Sequence, residues 1–322
     1  MKIAVVGATG LVGSAIIAHL QSGSWEVTAI ASKKSVGQVL TISDQTYVLQ
    51  SMDDVHFGDI DWVFFSAGGQ VSEQFVPKVL AAGCRVIDNS SFFRMHQDVP
   101  LVAFSVNQDD GQSAPLIANP NCSTIQLAVA LKPLLGLGIE QVIVSSMQSI
   151  SGAGQAAMTD FQADSKYMLQ SGQRQGMAFD IDTKIDVWMD DGHCKEEWKI
   201  RHELPKILGV HFMIGVTTVR VPVLFGHTQS VTVTLNQAVT LQQISALFLS
   251  SPLIRVYAHQ DALSPMSVSY GNANVHIGRI RSVDALGHVW SFMVISDNIL
   301  RGGATNAFEI LQNSVNINEQ TE

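Results

Sequence analysis

Cys122 stands in the stretch NPNCSTIQ, Asn119 to Gln126, between an Asn-Pro-Asn turn and a run that reads as a helix. The thiolate is the reactive form of cysteine, and a helix N-terminus lowers a thiol pKa, so the position suits a nucleophile. Asn121 and Ser123 offer an amide and a hydroxyl beside it. Position alone equally allows the usual fate of a free cysteine, burial as an inert small hydrophobe. Cysteine chemistry also needs a group that handles protons. Of ten histidines, His19, His96, His202 and His259 have bland surroundings. His227 differs, because it follows the apolar run RVPVLFG, which opens on Arg220. A single strand carrying both would set them at its two ends, framing a pocket mouth where the arginine can grip a carboxylate. An ordinary strand-end pair fits that spacing as well. The other two cysteines read as structural: Cys84, in LAAGCRV, as core, and Cys194, in DDGHCKEE, as surface. His193 beside Cys194 lacks a second ligand pair, so no metal site is expected.

A second constellation opens the chain. Gly7, Ala8, Thr9, Gly10, Leu11, Val12 and Gly13 follow an apolar β-rich run and lead into a helical pattern. Glycines there permit a tight turn and close approach of a pyrophosphate to the helix N-terminus. At the end of the next strand an acidic residue would take a ribose hydroxyl; here Ser32, Lys33, Lys34 and Ser35 stand instead. Two lysines and two hydroxyls favour the 2′-phosphate of NADP over NAD.

These residues need a frame. Strands read at 2–8, 26–32, 61–69 and 85–91 alternate with helices at 11–22 and 73–83, which predicts a doubly wound, Rossmann-type parallel sheet. Beyond residue 140 the pattern changes. Strands read at 141–151, 216–226, 229–236, 275–283 and 289–296, with few helices between them, predict a second α+β domain with a largely antiparallel sheet. The expected division is 1–125 for nucleotide binding and 126–302 for catalysis, with a final helix in 303–322 packing back on the first domain.

Composition narrows the partners. The 322 residues are 46% hydrophobic and 15% charged, enough for two cores. A formal charge of −9 argues against nucleic-acid binding. Three cysteines make no disulfide framework and fit a reducing compartment. No apolar run reaches the ~18 residues of a membrane span, and no signal-peptide pattern is read, so a cytoplasmic protein is expected.

Taken together, GATGLVG, NPNCSTIQ, SGAG, RVPVLFGH and DNILRGGATNA make the sequence resemble the bacterial-type aspartate-semialdehyde dehydrogenases over nearly its whole length. The resemblance implies homodimers that reduce aspartyl phosphate to aspartate semialdehyde with NADPH, releasing phosphate, in the biosynthesis of lysine and diaminopimelate, threonine and methionine. It assigns Cys122 as the nucleophile that carries the acyl thioester, Gln148 as the residue orienting the intermediate, and His227 as the acid/base. Arg220 would hold the substrate carboxylate, and Glu196 the substrate amine. Lys199, Arg94, Asn121 and Ser91 would bind phosphate. Thr9 to Val12 match the pyrophosphate turn, Lys34 and Ser35 the 2′-phosphate contact, Ser151 and Gly152 the nicotinamide side, and Asn298 a further cofactor position.

Three places depart from the family pattern. Ala103–Asn107 reads AFSVN where Val-Pro-Glu-Val-Asn is usual. The segment 179–186 has Thr183 for a proline and adds the charge of Lys184. Lys34 replaces an arginine. The competing readings are a non-catalytic paralogue and another acyl-phosphate reductase. Retention of both Cys122 and His227 opposes the first. Glu196, which would find no ammonium on an N-acylated substrate, opposes the second.

Overall fold

The computed structural model describes residues 1–258, 261 and 263–321, with side chains through residue 316; His259 lies outside the described residues. It divides into two compact units, 1–121 with 303–322, and 122–302. The break falls at Asn121/Cys122, not at 125/126, because the helix that starts at Cys122 packs within the second unit from its first turn.

In the first unit, β1 (Lys2–Val6) leads through the glycine turn into α1 (Leu11–Leu20), followed by β2 (Glu26–Ile30). A short hairpin of β3 (Val39–Ile42) and β4 (Gln45–Val48) comes next, which the sequence reading misses. Then come β5 (Trp62–Phe65), α2 (Gly69–Ala81), β6 (Arg85–Asp88) and β7 (Leu116–Ala118). The parallel sheet has order β2-β1-β5-β6-β7. Its strands are apolar runs because both faces are covered. Ile3, Val5, Phe64 and Ile87 pack with Ile16, Ile17 and Leu20 of α1. The C-terminal helix, Thr305–Thr321, joins this core through Phe308 and Leu311. His19 stacks on Phe308 and lies 2.9 Å from Thr305 Oγ1.

The second unit holds α3 (Cys122–Leu131), β8 (Ile139–Gln148), α4 (Gln155–Ser171), α5 (Lys195–Leu208), β9 (Met213–Arg220), β10 (His227–Leu235), α6 (Leu241–Leu249), β11 (Ile254–Val256), β12 (Val275–Ser282) and β13 (Val289–Ser296). Its sheet has order β11-β12-β13-β10-β8-β9, antiparallel in the middle with a parallel strand at each edge. β10 buries alternate residues, His227, Gln229, Val231, Val233 and Leu235, as a strand covered on one face must. α3 is buried from Ser123 through Leu131, its polar Ser123, Thr124 and Gln126 included.

Two expectations are corrected here. The run from Arg220 to His227 is not one strand: Arg220 ends β9 and His227 begins β10. Pro222 offers no N–H, and Gly226 adopts φ 82°, so the intervening segment loops, with Val223 O and Leu224 O accepting from Ile150 N and Ser151 N. Cys194 is fully buried, not a surface residue. It is the N-cap of α5, and its Sγ lies 3.2 Å from Thr218 Oγ1 of β9.

Candidate active site

β8 lies between β9 and β10, with Gln148 opposite Arg220 and Met147 opposite Thr228. The end of β8, the end of β9 and the start of β10 therefore meet at one edge of the sheet. That is how Gln148, Arg220 and His227, far apart in sequence, become neighbours. The first turn of α3 is pinned to the same edge: Gln148 Nε2 donates to Ser123 Oγ at 2.8 Å, and Gln229 Nε2 to Ser123 O at 2.9 Å. Cys122 Sγ consequently lies 3.2 Å from His227 Nε2. A Cβ on Gly302 would stand 2.5 Å from that of Cys122, so this close packing needs a glycine.

His227 is fully buried. Burial, and then the positive charge of Arg220, push its pKa down to about 3, so the ring is neutral near pH 7. Its Nδ1 accepts from Ser149 N at 3.1 Å, with Ser149 Oγ 3.2 Å away. The carbonyl of the same residue accepts from Arg220 Nη1 at 2.8 Å. Burial lowers the Arg220 pKa, opposed by the charges of Glu196, Cys122 and Asp182. The guanidinium thus sits in the field of the thiol, where its charge favours the thiolate.

Ser151, Gly152 and Asn298 belong to the same cluster. Asn298 Oδ1 accepts from Ser149 Oγ at 3.1 Å and from Gly226 N at 2.9 Å, while Ser151 Oγ lies 3.0 Å from Asn298 Nδ2. Asn298 therefore braces the loops around His227. At Gly152 a side chain would press on Arg220 and His227.

α5 supplies the acid–base pair of its first turn. Glu196 Oε1 accepts from Gln148 Nε2 at 3.1 Å, and Lys199 Nζ spans Glu196 Oε2 at 3.1 Å and Asp186 Oδ2 at 3.0 Å. Only 14% of the Lys199 side chain is exposed. Glu197 faces the other way and fixes the helix, accepting from Cys194 N and Thr218 N, each at 2.9 Å. A cavity of about 380 Å³ opens beside Arg220 and is lined by Asp182, Lys184 and Asp186 of the divergent 179–186 segment. Sequence reasoning missed Ser149, Asp186, Glu197 and Gln229. A glutamine at an inward position of β10 is a readable signal; the main-chain contacts of Ser149 leave none.

In the first unit, Arg94 is buried, donating from Nε to Asn119 O at 2.9 Å and from Nη2 to Asn89 O at 2.8 Å. The chain there turns on buried Asp88, which accepts from Ser72 and Ser90 and whose pKa burial raises. Asn121 is buried, and Ser91 is exposed. Asn306 donates to Asn119 Oδ1 and Val102 O and accepts from Phe104 N, holding the AFSVN segment in place.

A separate cleft of about 440 Å³ lies at the carboxyl ends of β1, β2 and β5, the point where strand order reverses. Gly7, Thr9 and Gly10 line it. Gly7 has φ 85°, and a Cβ there would stand 2.5 Å from Ser66 O, while one on Gly13 would collide with Gly7 O. Gly10 caps α1 without a side-chain bond, which leaves first-turn N–H groups for a ligand. The cradle therefore fits a dinucleotide. Ser32 and Lys33 line the cleft, whereas Lys34 and Ser35 are not among its lining residues. Lys33 Nζ pairs with Asp53 at 2.7 Å.

Known proteins match along the whole chain. The model of the semialdehyde dehydrogenase NAD binding domain matches residues 2–114, and that of the semialdehyde dehydrogenase dimerisation domain matches 131–301. The aspartate-semialdehyde dehydrogenase of Rickettsia conorii is 37% identical over 331 residues, covering 98% of each chain. That of Aquifex aeolicus is 36% identical over 329 residues, covering 97% of each. A crystal structure of aspartate semialdehyde dehydrogenase II from Vibrio cholerae, complexed with ASA, is 33% identical, with a TM-score of 0.93 and 98% of both chains covered. By these matches the chain belongs to the aspartate-semialdehyde dehydrogenase family of nicotinamide-dependent oxidoreductases.

Proposed function

We propose that this chain reduces L-aspartyl 4-phosphate to L-aspartate 4-semialdehyde and phosphate, reversibly and with NADPH, through a thioester on Cys122. The observation that carries the reading is the 3.2 Å approach of Cys122 Sγ to His227 Nε2 at the helix start, next to Arg220 and Gln148. The thiolate attacks the acyl carbon, the bond from that carbon to the phosphate oxygen breaks, and phosphate leaves. Gly7, Thr9 and Gly10 would hold a nicotinamide dinucleotide, and that group would supply the hydride that reduces the thioester. The thiohemiacetal then collapses, releasing the aldehyde and restoring the thiolate. His227 serves as the acid–base group, acting at sulfur and at the carbonyl oxygen. Arg220 takes the substrate carboxylate, Glu196 its ammonium, and Gln148 orients the acyl group. Lys199, Arg94, Asn121 and Ser91 are assigned to phosphate. Gly7 and Thr9 to Gly13 hold the pyrophosphate, and Lys33, Lys34 and Ser35 the 2′-phosphate. Ser151, Gly152 and Asn298 shape the nicotinamide side. The pathway is aspartate-family amino-acid biosynthesis. Three free thiols agree with a cytoplasmic setting, and among the described residues no helix is long and apolar enough to cross a membrane.

A homodimer is part of the proposal. The face of the second sheet opposite α3 and α5 exposes Ile143 and Met213, and the matching family model is described as a dimerisation domain. Ile143→Arg is expected to shift the mass in solution, by light scattering, from two chains to one.

The assay mixes the protein with aspartate semialdehyde, phosphate and NADP and follows NADPH absorbance. Phosphate-dependent formation is expected; none sinks the reading. Cys122→Ser is expected to lower kcat by orders of magnitude, since serine supplies no thiolate near neutral pH. The Lys33–Asp53 pair sets a positive and a negative charge at the same cleft, so NAD remains the second reading for the cofactor. A Lys33→Ala, Lys34→Ala double variant is expected to raise the KM for NADP by about tenfold with that for NAD little changed.

A further inference from the structure

We propose that a cleft between α6 and the outer edge of the second sheet binds a small apolar carboxylate, an acid with an aliphatic or aromatic body and no cationic group. The cleft has a volume of about 750 Å³, in the range of small-molecule sites, and shares no lining residue with the cluster around Cys122. It exists because β11 is short. β11 pairs with β12 only from Ile254 to Val256, so the edge of β12 beyond Ile277 meets no strand among the described residues. α6 lies alongside. Its Ile244 and Phe248 are fully buried, and Phe248 meets Phe292 of β13 edge-on, with ring centroids 5.1 Å apart. A second stripe of the same helix, Leu241, Ser245 and Leu249, lines the cleft. Leu241 is 53% exposed and Leu249 63%, so two large apolar side chains stand uncovered on one face. Val256 and Ile280 extend the apolar lining.

The cleft is also positively charged. Met293 of β13 pairs with Gly278 and Ser291 with Arg281, so Arg279 and Ile280 stand opposite a single residue in a β-bulge. In an unbroken strand Ile280 would point away from its two neighbours. Here Arg279, Ile280 and Arg281 all line the same cleft. Arg279 takes φ 55° at the bulge, a left-handed conformation unfavourable for a residue with a Cβ. Arg281 Nη1 donates to Arg279 O at 2.9 Å, which ties its guanidinium across the bulge. Among the described residues neither guanidinium pairs with a carboxylate. The acids nearest in sequence are engaged by main chain: Asp261 accepts from Ala258 N, and Asp284 from Gly287 N, His288 N and Val289 N. Two unopposed arginines beside apolar surface are a local exception on a chain of formal charge −9. A guanidinium presents a planar fork of donors that matches a carboxylate. No carboxylate lines the cleft to receive an ammonium, which disfavours a zwitterionic amino acid. An anion with an apolar body satisfies both parts of the lining.

Titration calorimetry of the full chain with octanoate, octylammonium and octanol tests both parts of the lining. Octanoate is expected to bind saturably, octanol at least about tenfold more weakly, and octylammonium not at all. Arg279→Gly suits the left-handed backbone at that position, and with Arg281→Gln it removes both charges. That double variant is expected to weaken octanoate by about tenfold or more. Leu249→Gln, which replaces exposed apolar surface by an amide, is expected to weaken octanoate and octanol alike. None of these residues lies among the reacting groups, so the phosphate-dependent assay should be unchanged and serves as the check on folding. Absence of saturable octanoate binding overturns the proposal, and so does equal binding by the double variant or equal affinity for octanol. Sedimentation with phosphatidylglycerol vesicles in place of octanoate binding would assign the face to a lipid surface and overturn it. A fall in the mass of the double variant in solution, from two chains to one, would assign the face to a second copy of the chain and overturn it as well. If the double variant does not fold, the three ligands on the wild type decide. The proposal does not rest on the functional reading of Cys122 and His227, and failure of the enzyme assay would leave the calorimetry standing.

Discussion

Gly152 packs closely against two of the groups around Cys122, Arg220 and His227. A Cβ there would lie 2.8 Å from Arg220 Nη1 and 3.1 Å from His227 Cε1. The guanidinium is the end of a flexible side chain, so it would yield first, and its bond to Ser149 O would be lost. Gly152→Ala is therefore expected to raise the KM for aspartate semialdehyde and to lower kcat/KM by on the order of 10²-fold, the usual consequence of a group displaced by about 1 Å. Unchanged steady-state constants in that variant would show that Arg220 is not held as described. At this scale the sequence was legible where a residue type carries the chemistry. Cys122 left two readings open, and its distance from His227 is what the proposed nucleophile role rests on. It was illegible where the backbone does the holding, because the N–H and C=O of Ser149 are common to almost every residue type.

α5 carries Glu196 and Lys199, so whatever fixes its first turn fixes two proposed substrate contacts. Glu197 does this, accepting from Cys194 N at the helix start and from Thr218 N in β9, two residues before Arg220. Glu197→Ala would leave two buried donors unpaired. It is expected to destabilise the fold by about 1–3 kcal/mol and to raise the substrate KM, whereas Glu197→Gln, which keeps one acceptor oxygen, recovers part of both. Denaturant unfolding beside steady-state kinetics checks it, and equal behaviour of the two variants would remove the bracing role. The same elements explain what the sequence hid. Charged neighbours made Cys194 look like surface, yet an N-cap facing a strand is buried whatever flanks it. The valine-rich run after Arg220 looked like one strand, and Pro222 was the signal against it. The alternating βα pattern of the first unit was readable because each strand is a short apolar run closed by glycine or a polar turn.

Across the whole molecule, acid stability follows from buried neutral histidines. His227 has its pKa pushed to about 3 by burial and by Arg220. His276 in β12 has its pKa pushed to about 4 by burial and by Arg255. The latter ring lies 3.0 Å from the Tyr257 hydroxyl through Nδ1, while its Nε2 is buried without a partner among the described residues, so protonation there would create a buried, unpaired N–H. Both folded values lie below the unfolded one, about 6.5. The unfolded chain therefore binds protons that the folded chain refuses. The stability contributed by keeping these rings neutral is fully present above about pH 6.5 and is lost as the pH falls toward the folded values. Each group costs roughly 1.4 kcal/mol per pH unit in that window, so together they remove about 3 kcal/mol per unit, a large share of a typical folding free energy. Asp88, whose pKa burial raises, works in the opposite sense, since its folded form gains as the carboxyl protonates. Denaturant unfolding from about pH 7 to about pH 4.5 is expected to show stability falling steeply in the wild type. His227→Gln and His276→Gln should each flatten that fall by about half, and the double variant should nearly abolish it, because glutamine has no proton to refuse. A slope the same in all four proteins would mean that neither ring is held neutral by the fold, and that the acid limit of the molecule is set by its carboxylates.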